Sequence, residues 1–143
     1  MPDRRLAVSA WESLFRAQHE IFEQFSADFT RGPLSQGEYD VLLTVTRSPE
    51  HTARLRDITT NLLISQPSVS RLVDRMVGKN LVTKRADPQD GRGSLVTATD
   101  LGARRFREVA VAHGRHIAAR MSVLTTNELE QLAALTEKLR RGH

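Results

Sequence analysis

Apolar side chains recur at helical spacing near the start of the chain and predict a helix from about Leu6 to Phe29. The apolar stripe of this helix is formed by Trp11, Leu14, Phe15, Ile21, Phe22, Phe25 and Phe29. The helix ends at Arg31-Gly32-Pro33, because glycine and proline interrupt a helix. A stripe this wide predicts that the helix contacts a second surface as well as its own domain.

A second helix is predicted to begin at a capping box, in which Ser35 and Glu38 satisfy each other's backbone N–H groups. Leu34 and Tyr39 flank the cap at the two positions of a hydrophobic staple. The helix ends before Pro49, since the residue preceding a proline disfavours the helical conformation.

After a short connection at residues 50–54, two short helices joined by a tight turn at Leu63-Ile64 are predicted. Ser65 caps the second of them and Pro67 occupies its first turn, where no backbone N–H is needed. The buried stripes of the two helices are Leu55, Ile58 and Leu62, and Val69, Leu72, Val73, Met76 and Val77. Asn80 follows as a residue that accepts the left-handed conformation.

A β-hairpin comes next, because apolar β-favouring runs at residues 81–83 and 95–97 flank a turn with an Asp90-Gly91 pair. Thr99 caps a long fifth helix, and a last helix has a leucine face formed by Leu129, Leu132, Leu135 and Leu139. The chain is therefore predicted to be mainly α, with about six helices and a two- or three-stranded wing. This order of elements is a winged helix-turn-helix.

The composition, with 39% apolar and 27% charged residues, is ordinary for a globular chain. No run approaches the ~18 apolar residues of a membrane span, and the first residues lack a signal peptide's apolar core. The absence of cysteine excludes disulfides and thiolate metal sites. We therefore expect a cytoplasmic protein that needs no cofactor and has no membrane partner. Nucleophile and phosphate-loop motifs are also missing, so we do not expect an enzyme.

The charge is unevenly distributed along the chain. Residues 47–107 hold 12 basic and 6 acidic side chains, whereas residues 1–46 hold 4 basic and 7 acidic ones. A basic middle third that also carries the hairpin favours a polyanion such as double-stranded DNA as partner. A basic surface that is merely solvated remains the alternative on charge alone.

The exposed face of the second short helix carries side chains suited to base edges and phosphates. We predict DNA contacts from Gln66, Pro67, Ser68, Ser70, Arg71 and Arg75. An arginine can form two hydrogen bonds with guanine, and a glutamine can form two with adenine. The alternative is that this polar face is only solvated.

The hairpin tip places Arg92 in water, and turn formation does not require an arginine there. An arginine at this position can enter a narrow, A·T-rich minor groove, where the negative potential is enhanced. Asp90, two residues earlier, is predicted to pair with the guanidinium and fix its direction. Both residues are therefore predicted to take part in DNA binding.

From about Leu34 to Gly102 the chain resembles the multiple-antibiotic-resistance regulator (MarR) family of bacterial transcription factors. The resemblance is carried by the segment LLISQPSVSRLVDRMVGKNLVTKRADPQDGRGSLVTATDLG. Within it, Asp90-Gly91-Arg92 matches the wing motif of the family and Thr99 to Gly102 matches its Thr-x-x-Gly boundary. The chain departs from the family at Ala98, where leucine is frequent, and at two positions often held by glycine, Leu63 and Asn80.

The resemblance implies a homodimer built by residues 1–33 and 100–143, with residues 34–99 forming the DNA-binding domain. It implies a regulator that binds a pseudo-palindromic operator, most often as a repressor released by a small ligand. It also implies a pocket for a small aromatic or anionic effector, for which the candidates are Phe15, His19, Phe22 and Tyr39. Ordinary core packing is the alternative for each of these four side chains.

Two other readings of the chain are possible. His113 and His116 lie three residues apart, a spacing that two metal ligands can use, but a surface role for both is favoured and no metal site is predicted. A winged-helix module that binds proteins and not DNA is the alternative function. The basic middle third and Arg92 argue against that alternative.

Overall fold

The computed structural model describes residues 3–62 and 66–142, except for the side chains of Gln66 and Pro67. The helices and strands in these residues are α1 (Arg4–Phe25), α2 (Ala27–Thr30), α3 (Gln36–Thr46), β1 (Thr52–Arg54), α4 (Leu55–Asn61), α5 (Gln66–Gly78), β2 (Val82–Asp87), β3 (Asp90–Ala98), α6 (Asp100–Met121) and α7 (Thr126–Arg141). The predicted mainly α winged helix-turn-helix is confirmed. None of the helices described is both long and apolar enough to cross a membrane.

The chain divides into two compact units. The first unit combines Met1–Phe25 with His113–His143, and the second comprises Ser26–Ala112. The second unit holds the helix-turn-helix, the sheet and the first half of α6. The predicted tight turn at 63–64 and the predicted cap at Ser65 lie outside the described residues.

The cap of α3 has the predicted geometry. The Ser35 hydroxyl accepts from the Glu38 backbone N–H at 3.2 Å, and the Glu38 carboxylate accepts from the Ser35 backbone N–H at 2.8 Å. The two backbone N–H groups that a helix start would otherwise leave without a partner are thus satisfied. The start of α3 is therefore fixed by local sequence alone.

The sheet has three antiparallel strands in the order β1-β3-β2. Strands β2 and β3 form the predicted hairpin, and β1 pairs with the far edge of β3, with Ala53 opposite Val96. The sequence predicted only a connection at residues 50–54. A three-residue strand is too short to show an alternating pattern, and its hydrogen-bond partner lies more than forty residues away.

The core of the second unit contains most of the positions that helical spacing predicted. Its fully buried side chains are Leu34, Val41, Leu42, Val45, Ile58, Val69, Val73, Met76, Val82 and Val96. Val77, also predicted to be buried, is 41% exposed. Asn80 turns the chain just after α5 with a φ of 62°, as predicted, and the Leu81 N–H then donates to the Met76 carbonyl. Val77 lies at the edge of the stripe formed by the buried side chains of α5 and in the last turn of that helix, so it stays exposed.

The junction between β3 and α6 is held by Thr99. Its hydroxyl donates to the Asn80 and Leu81 carbonyls at 2.7 and 3.0 Å, and accepts from the Gly102 N–H at 3.0 Å. A Cβ at Gly102 would collide with the Leu81 carbonyl oxygen. The Thr-x-x-Gly spacing thus joins the end of the wing to the first turn of α6 at close range.

The first unit is built differently, since neither α1 nor α7 contains a buried residue. The predicted first helix is divided in the structure, because α1 ends at Phe25 and α2 begins after Ser26, a residue type that is unfavourable inside helices. The last helix starts with a second capping box, between Thr125 and Glu128. The long outer helices thus keep their apolar faces uncovered in the single chain.

Candidate nucleic-acid interface

Helix α5 has one buried and one exposed face, as expected of a recognition helix. Val69, Val73 and Met76 are fully buried, whereas Arg71 and Arg75 are exposed one helical turn apart. Of the other predicted DNA-binding residues on this helix, Ser68 and Ser70 are half-buried, and the side chains of Gln66 and Pro67 lie outside the described part of the chain. The exposed face therefore offers two guanidinium groups to an external partner.

The exposed face of α5 is connected to the wing. The Lys84 ammonium of β2 donates to the Asp74 carboxylate of α5 at 3.0 Å. Asp74 is thereby paired inside the protein and carries less repulsion toward a polyanion than an isolated carboxylate would. The helix and the first wing strand are held side by side by this pair.

The other end of α5 is tied to α3. The Lys79 ammonium lies 2.7 Å from the carboxylate of Glu38, which is 4% exposed. Burial alone would raise the pKa of the Glu38 carboxyl, but hydrogen bonds from Lys79 and from the Ser35 backbone hold that pKa below its ordinary value. Gly37 lies beside Glu38, and a Cβ there would be 3.0 Å from Leu72 of α5. The two helices are therefore fixed by charge and by close packing.

The turn of the wing is anchored by Arg54, the last residue of β1. Its guanidinium lies 3.2 Å from the carboxylate of Asp87, which is only 4% exposed, and donates to the Gln89 side chain at 3.0 Å. Asp87 also accepts from the Gln89 backbone N–H at 2.9 Å. These bonds hold the turn against the start of α4. Sequence patterns did not predict this anchor, since its two charges lie more than thirty residues apart along the chain.

The wing tip leaves Arg92 exposed. The Asp90 carboxylate accepts from the backbone N–H of Arg92 at 3.2 Å, so it orders the turn and does not hold the guanidinium as predicted. Aspartate side chains in turns commonly accept from the backbone N–H two residues later, and Asp90 does so here. Among the described residues, no ion pair includes Arg92.

A small cleft of about 180 Å³ lies between the wing tip and the start of α4. Arg92 lines it together with Arg54 and Arg56, and Arg56 is exposed. No sequence motif marked Arg56, although it contributes to the basic middle third of the chain. Arg56 thus adds a fourth exposed guanidinium to those of Arg71 and Arg75 on α5 and Arg92 on the wing.

The four candidate effector residues fall into different units. Phe15, His19 and Phe22 lie on α1, where the rings of Phe15 and His19 stack with centroids 6.4 Å apart. Tyr39 lies in the second unit, between the rings of Phe29 and Phe106 at 5.3 and 5.2 Å. Burial raises the pKa of the Tyr39 hydroxyl, an effect that Arg47 opposes and Asp40 reinforces. Tyr39 is thus part of the aromatic packing around the core.

His113 packs edge-on against Phe25, with ring centroids 5.2 Å apart. Across residues 3–62 and 66–142, no group of three or more metal-ligating side chains is found. The described residues therefore give no further support for a metal site at His113 and His116.

The chain is similar in sequence to known transcriptional regulators. Residues 32–93 match the sequence model of the MarR family. The HTH-type transcriptional regulator YkoM of Bacillus subtilis (strain 168) is 26% identical over 133 residues, which cover 92% of this chain and 84% of YkoM. The HTH-type transcriptional repressor MdtR of the same organism is also 26% identical, over 121 residues that cover 83% of this chain and 78% of MdtR.

The fold is shared with the MarR family transcriptional regulator Sco3205 of Streptomyces coelicolor, whose structure was solved in complex with DNA. The TM-score is 0.84 at 19% sequence identity, and the superposition covers 99% of this chain and 90% of that one. The fold is therefore that of a known winged-helix protein.

Proposed function

We propose that this chain is a transcriptional regulator of the MarR family that binds an operator as a homodimer and represses transcription until a small ligand releases it. The operator is pseudo-palindromic, because two copies related by a two-fold axis present the same surface to two half-sites.

DNA binding is supported above all by one observation. Arg71, Arg75 and Arg92 are all exposed on one compact unit, in which the pair of Asp74 and Lys84 joins α5 to the wing. In this arrangement α5 enters the major groove, with Arg71 toward base edges and Arg75 toward the backbone. Arg92 reaches the adjacent minor groove, and Arg56 neutralises a phosphate beside it.

Dimerisation is supported by the apolar surface of the first unit. Trp11 and Leu139 are 61% and 66% exposed, and both line an apolar groove of about 560 Å³ between α1 and α7. An apolar surface of this kind on two long helices indicates a protein partner. The partner that we propose for this apolar surface is a second copy of the chain. In such a homodimer, residues 1–33 and 100–143 of each copy pack against the same residues of the other.

A role as repressor is supported by the relative MdtR, which is named a transcriptional repressor. In this chain repression would follow from occupation of a promoter. A ligand relieves it by favouring a dimer whose recognition helices are wrongly spaced for the operator. The aromatic side chains of α1, Phe15, His19 and Phe22, are the residues proposed to receive a small aromatic or anionic effector.

Footprinting on the DNA that flanks the chain's own gene tests this function. We expect a protected, pseudo-palindromic site whose protection is lost when a small aromatic acid that acts as effector is added. The Arg71→Ala, Arg92→Ala double variant serves as a control that should protect nothing at the same concentration. Failure of the wild-type chain to protect any DNA, at low as well as physiological salt, would support the protein-binding alternative.

A further inference from the structure

A second cavity lies in the Ser26–Ala112 unit, at the end of the sheet opposite the wing tip. It has a volume of about 510 Å³ and is lined by His51, Ala98, Thr99, Asp100, Ala103, Arg104 and Arg107. None of these residues belongs to the proposed DNA surface or to the aromatic candidates for an effector. The cavity therefore requires an explanation of its own.

The charges around the cavity favour an anion. Arg104, Arg107 and His51 face a single carboxylate, that of Asp100. Within the part of the chain that the structure describes, no ion pair or side-chain hydrogen bond involves any of the three basic groups. Arg105, between two of them in sequence, lies 3.5 Å from Glu108 and does not line the cavity. The arginines of this helical turn that line the cavity are thus the ones that no carboxylate neutralises.

The room in the cavity comes from two small side chains, Ala98 and Ala103. A longer side chain at position 98 would add carbon atoms to this wall and occupy part of the cavity. The resulting volume suits a small organic molecule, for which pockets of roughly 300–1,000 Å³ are typical.

The backbone that brings His51 to the cavity is strained. Glu50 and His51 have φ angles of 56° and 52°, a left-handed conformation that side chains other than glycine, asparagine and aspartate rarely adopt. Such conformations persist where the surrounding structure enforces them, often at ligand sites. The strain is consistent with a histidine placed for contact with a ligand.

We propose that this cavity binds a small organic anion, with Arg104, Arg107 and His51 holding a carboxylate or phosphate group and Ala98 and Ala103 accommodating a compact organic body. The anion is a free molecule and not a DNA phosphate, because the cavity is remote from the wing tip. Ala98 lies six residues along β3 from Arg92, roughly 20 Å at ~3.3 Å per residue.

The test is isothermal titration of the full chain with phenyl phosphate at constant ionic strength and without DNA. The wild-type chain should bind one molecule per chain, and Arg104→Gln or Arg107→Gln should weaken binding about tenfold, as expected when a charge-assisted hydrogen bond is removed. The matched control Arg105→Gln removes the same charge one residue away and should change affinity by less than about twofold. Equal losses in all three variants, or no saturable binding by the wild-type chain, would overturn the proposal.

A second variant tests the shape of the site. Ala98→Leu adds three carbon atoms to the cavity wall, so it should exclude phenyl phosphate, and a melting temperature within a few degrees of the wild-type value shows that the variant is folded. Unchanged binding by Ala98→Leu would show that the ligand lies elsewhere. In a parallel DNA titration, Arg104→Gln and Arg105→Gln should have the same salt dependence. A smaller salt dependence for Arg104→Gln alone would make this residue a DNA contact and contradict the proposal.

Discussion

Asp74 and Lys84 join the exposed face of the recognition helix to the first strand of the wing across 3.0 Å. Because both charges lie within the proposed DNA surface, we expect the pair to influence DNA binding in two ways. It neutralises the carboxylate on α5, and it directs the ammonium of the wing strand toward the helix. The relative positions of α5 and the wing thus depend in part on one surface ion pair.

The pair should matter more for DNA binding than for folding. Lys84→Met should change the free energy of unfolding by less than about 1 kcal/mol, because exposed ion pairs contribute little. Operator affinity should fall several-fold, since the unpaired Asp74 then repels the DNA. The double variant with Asp74→Asn should recover part of this loss. Chemical denaturation and fluorescence anisotropy measure the two quantities, and absence of any recovery would contradict this role of Asp74.

Arg92 should act on DNA through the minor groove. Arg92→Ala should leave the free energy of unfolding within about ±0.5 kcal/mol, because the side chain is exposed. The loss of DNA affinity should be larger on an operator with A·T-rich flanks than on one with G·C-rich flanks. Equal losses on both flanks would make Arg92 a phosphate contact.

Asp90 provides the companion variant for the wing tip. Its carboxylate orders the turn by accepting from the backbone N–H of Arg92. Asp90→Ala should therefore give a weaker form of the same flank-dependent defect, since the arginine keeps its charge and loses only its fixed position. Anisotropy titrations on the same two operators compare both variants, and a larger defect for Asp90→Ala would contradict this order.

Glu38 should make stability depend on pH. Its pKa is lowered in the folded chain from the ordinary 4.5, so the stabilisation is complete above that value and is lost as the pH falls through the folded pKa. Glu38→Gln should reduce the free energy of unfolding by about 1–3 kcal/mol at neutral pH and flatten its decline below pH 4.5. Lys79→Met should remove much of the same dependence. Urea denaturation across the acidic range measures it, and a decline of unchanged steepness in Glu38→Gln would contradict this assignment.

The leucine face of α7 should be needed for assembly. Leu139 is exposed and lines the apolar groove with Trp11 and Phe15, so Leu139→Glu would bury an unpaired charge in the proposed interface. The dissociation constant of the dimer should rise by roughly two orders of magnitude. Ala134→Glu adds the same charge at an exposed position of α7 whose neighbours three and four residues away are not leucines, and should leave assembly unchanged. Analytical ultracentrifugation distinguishes the two, and a stable Leu139→Glu dimer would contradict the proposed interface.

Local sequence signals predicted much of this fold. The capping box of Ser35 and Glu38, the left-handed Asn80 and the β-hairpin all depend on residues close together in the chain, and each was predicted correctly. Strand β1 was missed because it forms only when its backbone pairs with β3, far along the sequence. Sequence propensities describe features that neighbouring residues determine, such as helix caps and turns. They do not describe a strand that forms only by pairing with a distant segment.

In the proposed DNA interface, too, local features were predicted from the sequence and contacts between distant residues were not. Helical spacing alone identified Arg71 and Arg75 as exposed, and turn chemistry identified the tip that carries Arg92. The ion pair of Arg54 with Asp87 could not be predicted, since nothing in either local segment marks the other as a partner. Sequence therefore indicated the exposed side chains that we propose contact DNA, whereas the structure was needed to find the ion pair that anchors the turn of the wing.

Sequence-specific DNA binding by α5 is central to the proposed function, and a salt-titrated comparison of Arg71→Ala with Arg75→Ala tests it most directly. Affinity for the footprinted operator and for random DNA is measured by anisotropy at several salt concentrations. Arg71→Ala should weaken the operator by ~1–3 kcal/mol more than random DNA. Arg75→Ala should weaken both DNAs alike and lower the salt slope by roughly 0.9 for each phosphate that the protein no longer neutralises. Identical profiles for the two variants, or operator binding unaffected by either, would contradict this role of α5.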